Sequence, residues 1–169
     1  MKKTVLTFGL ISAAMTTAMM LATFPLIDSI GLEKTDVIGY TTIVLSALLV
    51  FFGVRSYRDN AGGGSFTFGR GFTVGLLITL ISCACYVVTF QIAYFKLLPD
   101  LGERYAACMV ERARASGASE QKIAETENQA QTLKQLLDNP VTNAALAFAE
   151  PFPIGLVATA ISAAILRKR

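Results

Sequence analysis

The chain of 169 residues contains no histidine and no tryptophan, and charged residues make up only 16% of it. Without histidine, the sequence lacks the usual general base, the commonest ligand of zinc and haem, and the Ser-His-Asp and Cys-His arrangements that activate nucleophiles. We therefore predict that the protein is not an enzyme and holds no cofactor or metal. A membrane enzyme would have to use aspartate, glutamate, lysine, tyrosine or cysteine alone, and no paired carboxylates stand at a span end at helical spacing.

Cysteines and basic runs are also scarce. Cys83 and Cys85 lie in an apolar run, where a spacing of two residues puts them on different faces of a helix. Cys108 stands alone in its segment, so we expect buried hydrophobic residues and neither a disulfide framework nor a metal site. No run of lysine and arginine is long enough to follow a phosphate backbone, which argues against nucleic acid as a partner.

The composition favours a protein of the lipid bilayer. Hydrophobic residues make up 53% of the chain and the mean hydropathy is +0.54, whereas a soluble domain averages about 25% charged residues. A spanning helix needs about 20 apolar residues, and four runs approach or exceed this length, at about residues 4–27, 37–54, 71–95 and 141–166. The sequence thus predicts an all-α integral membrane protein, a single domain over residues 1–169 with four transmembrane helices.

The first run has an alternative interpretation as a cleaved signal peptide, because a basic start followed by an apolar core is typical of one. We favour a span, since the run exceeds the usual core of about 7–15 residues and no clean small-x-small cleavage site precedes a polar start. Pro25 is expected to end this helix. Residues 28–36 are expected to form a short acidic loop, with Asp36 as the N-cap of the second helix.

The polar segment 99–139 predicts an amphipathic helical hairpin between the third and fourth spans. Its first helix is expected over about residues 100–115 and its second up to about residue 138. Gly117 suits the position after the first helix, and Ser119 suits the N-cap of the second. The apolar positions expected to share a face are Leu101, Tyr105, Cys108 and Met109 in the first helix and Ile123, Ala130, Leu133 and Leu137 in the second.

The basic residues predict the orientation. Four spans put both termini on one side, together with the turn 55–70 that contains the candidate functional residues Arg55, Arg58 and Arg70. The positive-inside rule places this side in the cytoplasm and the hairpin 99–139 outside it. The glycine-rich turn 60–65 lacks the Gly-Lys-Ser/Thr ending of a phosphate-binding loop, so phosphate binding stays a minor alternative.

Small and hydroxyl residues recur every three or four positions in each run. Such stripes let membrane helices approach closely, and Gly71-x-x-x-Gly75 is an explicit motif of this kind. One interpretation is a compact left-handed bundle in which the stripes face each other, and the other is a hydroxyl-lined path for a small solute. The first three runs contain no acidic or basic residue inside, which argues against the path. The stripes are Gly9, Ser12, Thr16 and Thr23; Gly39, Thr42, Ser46 and Gly53; Gly71, Gly75, Thr79, Ser82 and Thr89, with Tyr86 in register; and Gly155, Thr159 and Ser162.

Glu150 is the one carboxylate in the fourth run, and Pro151 and Pro153 follow it. Because proline has no amide hydrogen, it frees carbonyls in the preceding turn, and carbonyls beside a carboxylate can hold a cation or proton. The distance to the end of the run is about 24 Å at 1.5 Å per residue, which places Glu150 near the outer interface. The other interpretation is therefore an interfacial residue, solvated or paired with Lys96 or Gln91.

Four segments of the sequence resemble a known family: RSYRDN and its glycine-rich turn over 55–64, SFTFGRGFTVGLLITLI over 65–81, ERARASGAS over 111–119, and residues 139–169. Together they are similar to the bacterial family catalogued as domain of unknown function 4199. The resemblance implies a small bacterial integral membrane protein with four spans. We therefore expect a multi-pass protein of the bacterial cytoplasmic (inner) membrane, with both termini in the cytoplasm. It implies no activity, cofactor or catalytic residue.

Two functions remain open. The first is a non-enzymatic interaction protein of the inner membrane, such as an accessory subunit, assembly factor or sensor, with a membrane-protein partner or a second copy of itself. The alternative is a small oligomeric transporter or channel that uses Glu150 and the hydroxyl-lined helix faces.

Overall fold

The computed structural model describes residues 1–60 and 63–167, and all regular secondary structure in these ranges is helical. Four helical segments are long and apolar enough to cross a membrane: Lys2–Leu26, Leu32–Asn60, Phe68–Leu97 and Pro140–Leu166. This confirms the predicted all-α fold with four transmembrane helices, and the protein is a multi-pass membrane protein.

The first span and the start of the second are joined by a tight reversal. Helix α1, Lys2–Thr23, continues through a 3-10 turn that contains Pro25 and through the short α2, Ile27–Ile30. Gly31 then adopts a φ of +83°, a left-handed conformation that glycine takes without strain. Helix α3, Leu32–Asn60, starts directly after it. The expected acidic loop with Asp36 as N-cap is therefore wrong, because the chain turns at Gly31 and Asp36 lies inside α3.

Helix α3 is longer at both ends than the apolar run 37–54, and it continues into the first residues of the predicted turn 55–70. Arg55 and Arg58 lie in the last turns of α3, where both face Asp59; the Nε–Oδ distances are 3.8 Å and 2.8 Å. Arg70 lies exposed in the first turn of α4, Phe68–Ile92. The expected turn 60–65 includes residues 61 and 62, which lie outside the described residues.

The helices form two compact units, Met1–Thr89 with Ala147–Arg169, and Phe90–Leu146. In the first unit, α1 packs against α3, and α3 packs against the last helix, α8, Pro151–Leu166. An apolar cluster fills one part of this unit; its buried members are Val5, Val50, Val54, Tyr57, Phe66, Val74, Ile78 and Leu166.

The second unit contains a π-helical turn, Ala93–Leu97, followed by α5, Leu101–Ala115, and α6, Glu120–Asp138. Gly117 has a φ of +71°, and the side chain of Ser119 accepts a hydrogen bond from the Lys122 amide at 3.4 Å, as expected of a helix end and an N-cap. Contacts of Arg114 with Glu127 and of Lys134 with Glu103 show that α5 and α6 run antiparallel. Helix α7, Pro140–Ala149, follows α6.

A network around Asp138 ties this unit together. The Tyr94 hydroxyl donates to Asp138 Oδ1 at 2.8 Å, and Lys134 Nζ donates to Asp138 Oδ2 at 2.9 Å. Gly102 lies directly against the Tyr94 hydroxyl, where a larger residue would collide with it. The hydrogen bond from Lys134, and after it the one from Tyr94, holds the pKa of Asp138 below its ordinary value.

The lowered pKa of Asp138 gives a testable pH dependence. A carboxyl whose pKa is lower in the folded state stabilises the fold above its ordinary pKa of about 4, and this contribution disappears as the pH falls through the folded-state value. We expect Asp138→Asn to have a lower Tm than wild type at pH 7 and the difference to disappear as the pH falls through the lowered folded-state pKa of Asp138. The side chain is 46% exposed, so screening by water limits the difference to a few degrees.

The Tm of both proteins in detergent micelles across pH 2–7 measures this effect. The exposed Glu120→Gln variant, at the start of α6, is the control for loss of one carboxylate. A Tm difference between Asp138→Asn and wild type that stays constant over the whole pH range would contradict the assignment.

Candidate functional site

Helices α4 and α8 meet through a reciprocal glycine–threonine contact. A Cβ atom on Gly75 would come within 2.8 Å of Thr159 Cγ2, and a Cβ atom on Gly155 would collide with Thr79 Cγ2. The hydroxyl oxygens of Thr79 and Thr159 are 3.3 Å apart, and Thr79 also donates to the Gly155 carbonyl at 3.4 Å. The pairing of 75 with 159 and of 79 with 155 shows that the two helices are antiparallel.

The remaining packing residues have separate partners. Gly71 lies directly against the ring of Phe66, whereas Gly75 lies against Thr159 of α8. Ser162 is buried but donates within its own helix, to the Ala158 carbonyl at 2.6 Å. Ser82 is half-buried. Gly39 is exposed, and a Cβ atom added to it would have no neighbour within 4 Å. The stripe expected along α3 therefore does not include Gly39.

Where α1, α3, α4 and α8 converge, the hydroxyl stripes line a small space. The volume open to the centre of a water molecule is about 20 Å³, while about 10–15 Å³ suffices for one water. The stripes thus face each other closely and leave room for one water. The hydroxyl-bearing residues in its wall are Ser12, Thr16, Ser46, Thr79, Ser82 and Tyr86.

Glu150 lies next to this space and is bound by tyrosine. The Tyr86 hydroxyl donates to Glu150 Oε2 at 2.9 Å, and the Tyr40 hydroxyl of α3 also interacts with the carboxylate. Gln91 and Lys96 are the partners that the sequence suggested for Glu150. The Gln91 side chain instead donates to the Pro140 carbonyl at 2.7 Å.

The two prolines produce the break that holds Glu150. Helix α7 ends at Ala149 and α8 starts at Pro151, so Glu150 stands between them with Pro151 in the first position of α8. Because Pro151 and Pro153 have no amide hydrogen, the carbonyls of Ala147 and Ala149 lack their usual helical donors. Pro151 also forms part of the wall of the small space. The break therefore places a carboxylate and two carbonyls in one turn of chain.

Sequence reasoning did not assign the two tyrosines to Glu150. Tyr86 stands in register with the stripe of α4, and this is the signal that could have identified it. Tyr40 carries no comparable signal, because only the packing of α3 against α8 brings it to the carboxylate. The three candidate arginines do not join this group: Arg55 lies about 20 Å along α3 from Tyr40 at 1.5 Å per residue, and Arg70 lies in the first turn of α4.

Comparison with known families gives one match. The model of the family described as "Protein of unknown function (DUF4199)" matches residues 6–168, which include nearly all of the first membrane helix, the other three, the polar helices and Glu150. The comparison with curated proteins and the comparison with solved structures each found no match. The resemblance seen in the sequence is confirmed, and the chain belongs to the family described as "Protein of unknown function (DUF4199)".

Proposed function

We propose that the protein is a non-enzymatic component of the bacterial inner membrane that works by binding another membrane protein, as an accessory, assembly or sensing subunit. The observation that supports this is the close packing of the unit Met1–Thr89 with Ala147–Arg169. Glycine–threonine contacts bring α4 against α8, and the space where four helices converge has room for one water. We infer that a unit packed in this way acts through its surface.

The helices α5 and α6 are the proposed binding surface. Their exposed surface is charged, with ion pairs between Arg104 and Asp100 at 2.7 Å, Arg114 and Glu127 at 2.9 Å, and Lys122 and Glu125 at 2.8 Å. Charged groups of this kind select a partner of complementary charge. With both termini and the turn 55–70 in the cytoplasm, these helices face the extracytoplasmic side.

Site-specific photocrosslinking in native membranes tests this proposal. A crosslinker at the exposed position Gln121 in α6 is expected to capture one partner in stoichiometric amount, identified by mass spectrometry. The matched control carries the crosslinker at Leu45, a half-exposed apolar position of α3. Capture of the same proteins from both positions, or self-crosslinks alone, would reject α5 and α6 as the site of a hetero-partner.

A second candidate is a small oligomeric transporter or channel for protons or monovalent cations. The observation that favours it is the position of Tyr86, which bonds Glu150 and also lines the hydroxyl-bearing space. Ion flux into proteoliposomes is then expected to depend on the protein and to be lost in Glu150→Gln. The control is Glu125→Gln, an exposed carboxylate of α6. Unchanged flux in Glu150→Gln would dismiss this candidate.

A further inference from the structure

The Ser12 side chain of α1 is fully buried, with 0% exposure, and its hydroxyl oxygen has no hydrogen-bond partner within residues 1–60 and 63–167. A buried hydroxyl without a partner is unfavourable, because folding removes its hydrogen bonds to water and replaces them with nothing. Ser12 lines the small space between α1, α3, α4 and α8. We propose that this space is a binding site for one water molecule, which hydrogen-bonds Ser12 and links α1 to α3 and α4.

The size of the space and the three serine hydroxyls in its wall suit one water. Its volume of about 20 Å³ exceeds the roughly 10–15 Å³ that a water needs. The Oγ atoms of Ser46 and Ser82, from α3 and α4, lie in the same wall and are 3.5 Å apart, at the limit of a direct hydrogen bond. A buried water makes about three hydrogen bonds, and Ser12, Ser46 and Ser82 provide that number from three helices.

The wall argues for a neutral ligand. None of the residues that line the space in the described part of the chain is acidic, and a buried charge is costly unless it is paired. The carbonyls of Ser12 and Ala13, which could bind a cation, already accept hydrogen bonds from the Thr16 hydroxyl at 3.2 Å and 3.0 Å. Ile43, Ala47 and Val50 complete the wall with apolar surface.

Thermal unfolding of the purified full-length protein in detergent micelles tests the proposal. If a water bonds Ser12, we expect Ser12→Ala to lower the Tm by about 2–4 °C. If the space is dry, the same change removes an unsatisfied hydroxyl and leaves the Tm unchanged or raises it; that result would overturn the proposal.

A double-mutant cycle separates a shared water from independent contacts. Ser12 and Ser82 share the proposed water, so their combined alanine variant should lose less Tm than the two single losses together. The control pairs Ser12→Ala with Ser162→Ala, whose hydroxyl bonds the Ala158 carbonyl; these losses should add. Additive losses in the Ser12–Ser82 pair would also overturn the shared site.

Two measurements on the unmodified protein complete the test. The Tm should be equal in sodium, potassium and choline chloride at one ionic strength, and a rise specific to sodium or potassium would assign the space to a cation instead.

X-ray radiolysis converts a bound water into a hydroxyl radical in place. Cys83 lines the space and is 2% exposed, so this radical should oxidise it in the folded protein. An unmodified Cys83 would contradict a bound water.

Discussion

Replacing Gly155 with alanine is expected to lower the free energy of unfolding by about 1–3 kcal/mol, the usual effect of overpacking a tight contact. The new methyl group would collide with Thr79 Cγ2. Thr79 is β-branched, and its side chain has few alternative rotamers in a helix, so the helices themselves must move apart. Denaturant titration of the purified protein in detergent micelles measures the loss. Gly75→Ala should act in the same direction, against Thr159.

The matched control is Gly39→Ala. Gly39 also lies inside a membrane helix, but it is exposed and a Cβ atom there would have no neighbour within 4 Å. Alanine is favoured over glycine in a helix by about 1 kcal/mol, so this variant is expected to be neutral or slightly more stable. An equal loss of stability at Gly39 and Gly155 would show that close packing of α4 against α8 is not the cause.

The second large effect is expected at the hydrogen bond between Tyr86 and Glu150. Tyr86→Phe removes the hydroxyl that donates to the carboxylate at 2.9 Å. Since the change leaves a half-buried carboxyl oxygen without this donor, it is expected to lower the free energy of unfolding by about 1–3 kcal/mol. In a Glu150→Leu background the acceptor is gone, and the same tyrosine change should have a much smaller effect.

Chemical unfolding of the four proteins of this cycle gives the coupling energy between the two side chains. Tyr57→Phe is the control for loss of a buried tyrosine hydroxyl in the same unit, because Tyr57 packs in the apolar cluster beside Phe66, with ring centroids 6.3 Å apart. We expect Tyr57→Phe to leave the free energy of unfolding nearly unchanged. A Tyr86→Phe effect of equal size with and without Glu150 would contradict the bond as a source of stability.

The four spans could be predicted from the sequence because the thickness of the bilayer fixes the length of an apolar helix. The sequence also identified Thr79, Thr159 and Ser162 as members of buried stripes, since helical periodicity determines which residues share a face. The sequence could not identify which helices pack against each other through these stripes. The contacts of Gly75 with Thr159 and of Glu150 with Tyr86 depend on helix order and register, and periodicity along one helix contains neither.

The loop at residues 28–36 shows a different limit. Its acidic residues suggested a loop with Asp36 as N-cap, yet the chain reverses at Gly31 and α3 starts at Leu32. The Thr35 hydroxyl donates to the Gly31 carbonyl at 3.0 Å, which secures the first turn of α3. Glycine at a single position thus outweighed the cap preference of an aspartate, because the backbone conformation decides where a helix can begin.

The contact between α4 and α8 joins two helices that are synthesised far apart in time. The whole unit Phe90–Leu146 lies between Gly75 and Thr159 in the chain, and synthesis delivers α1, α3 and α4 to the membrane first. Until α8 has been synthesised, Gly75 and Thr79 of α4 lack their contacts with Thr159 and Gly155. The reciprocal contacts of Gly75 with Thr159 and of Gly155 with Thr79 can therefore form only after α8 has been synthesised.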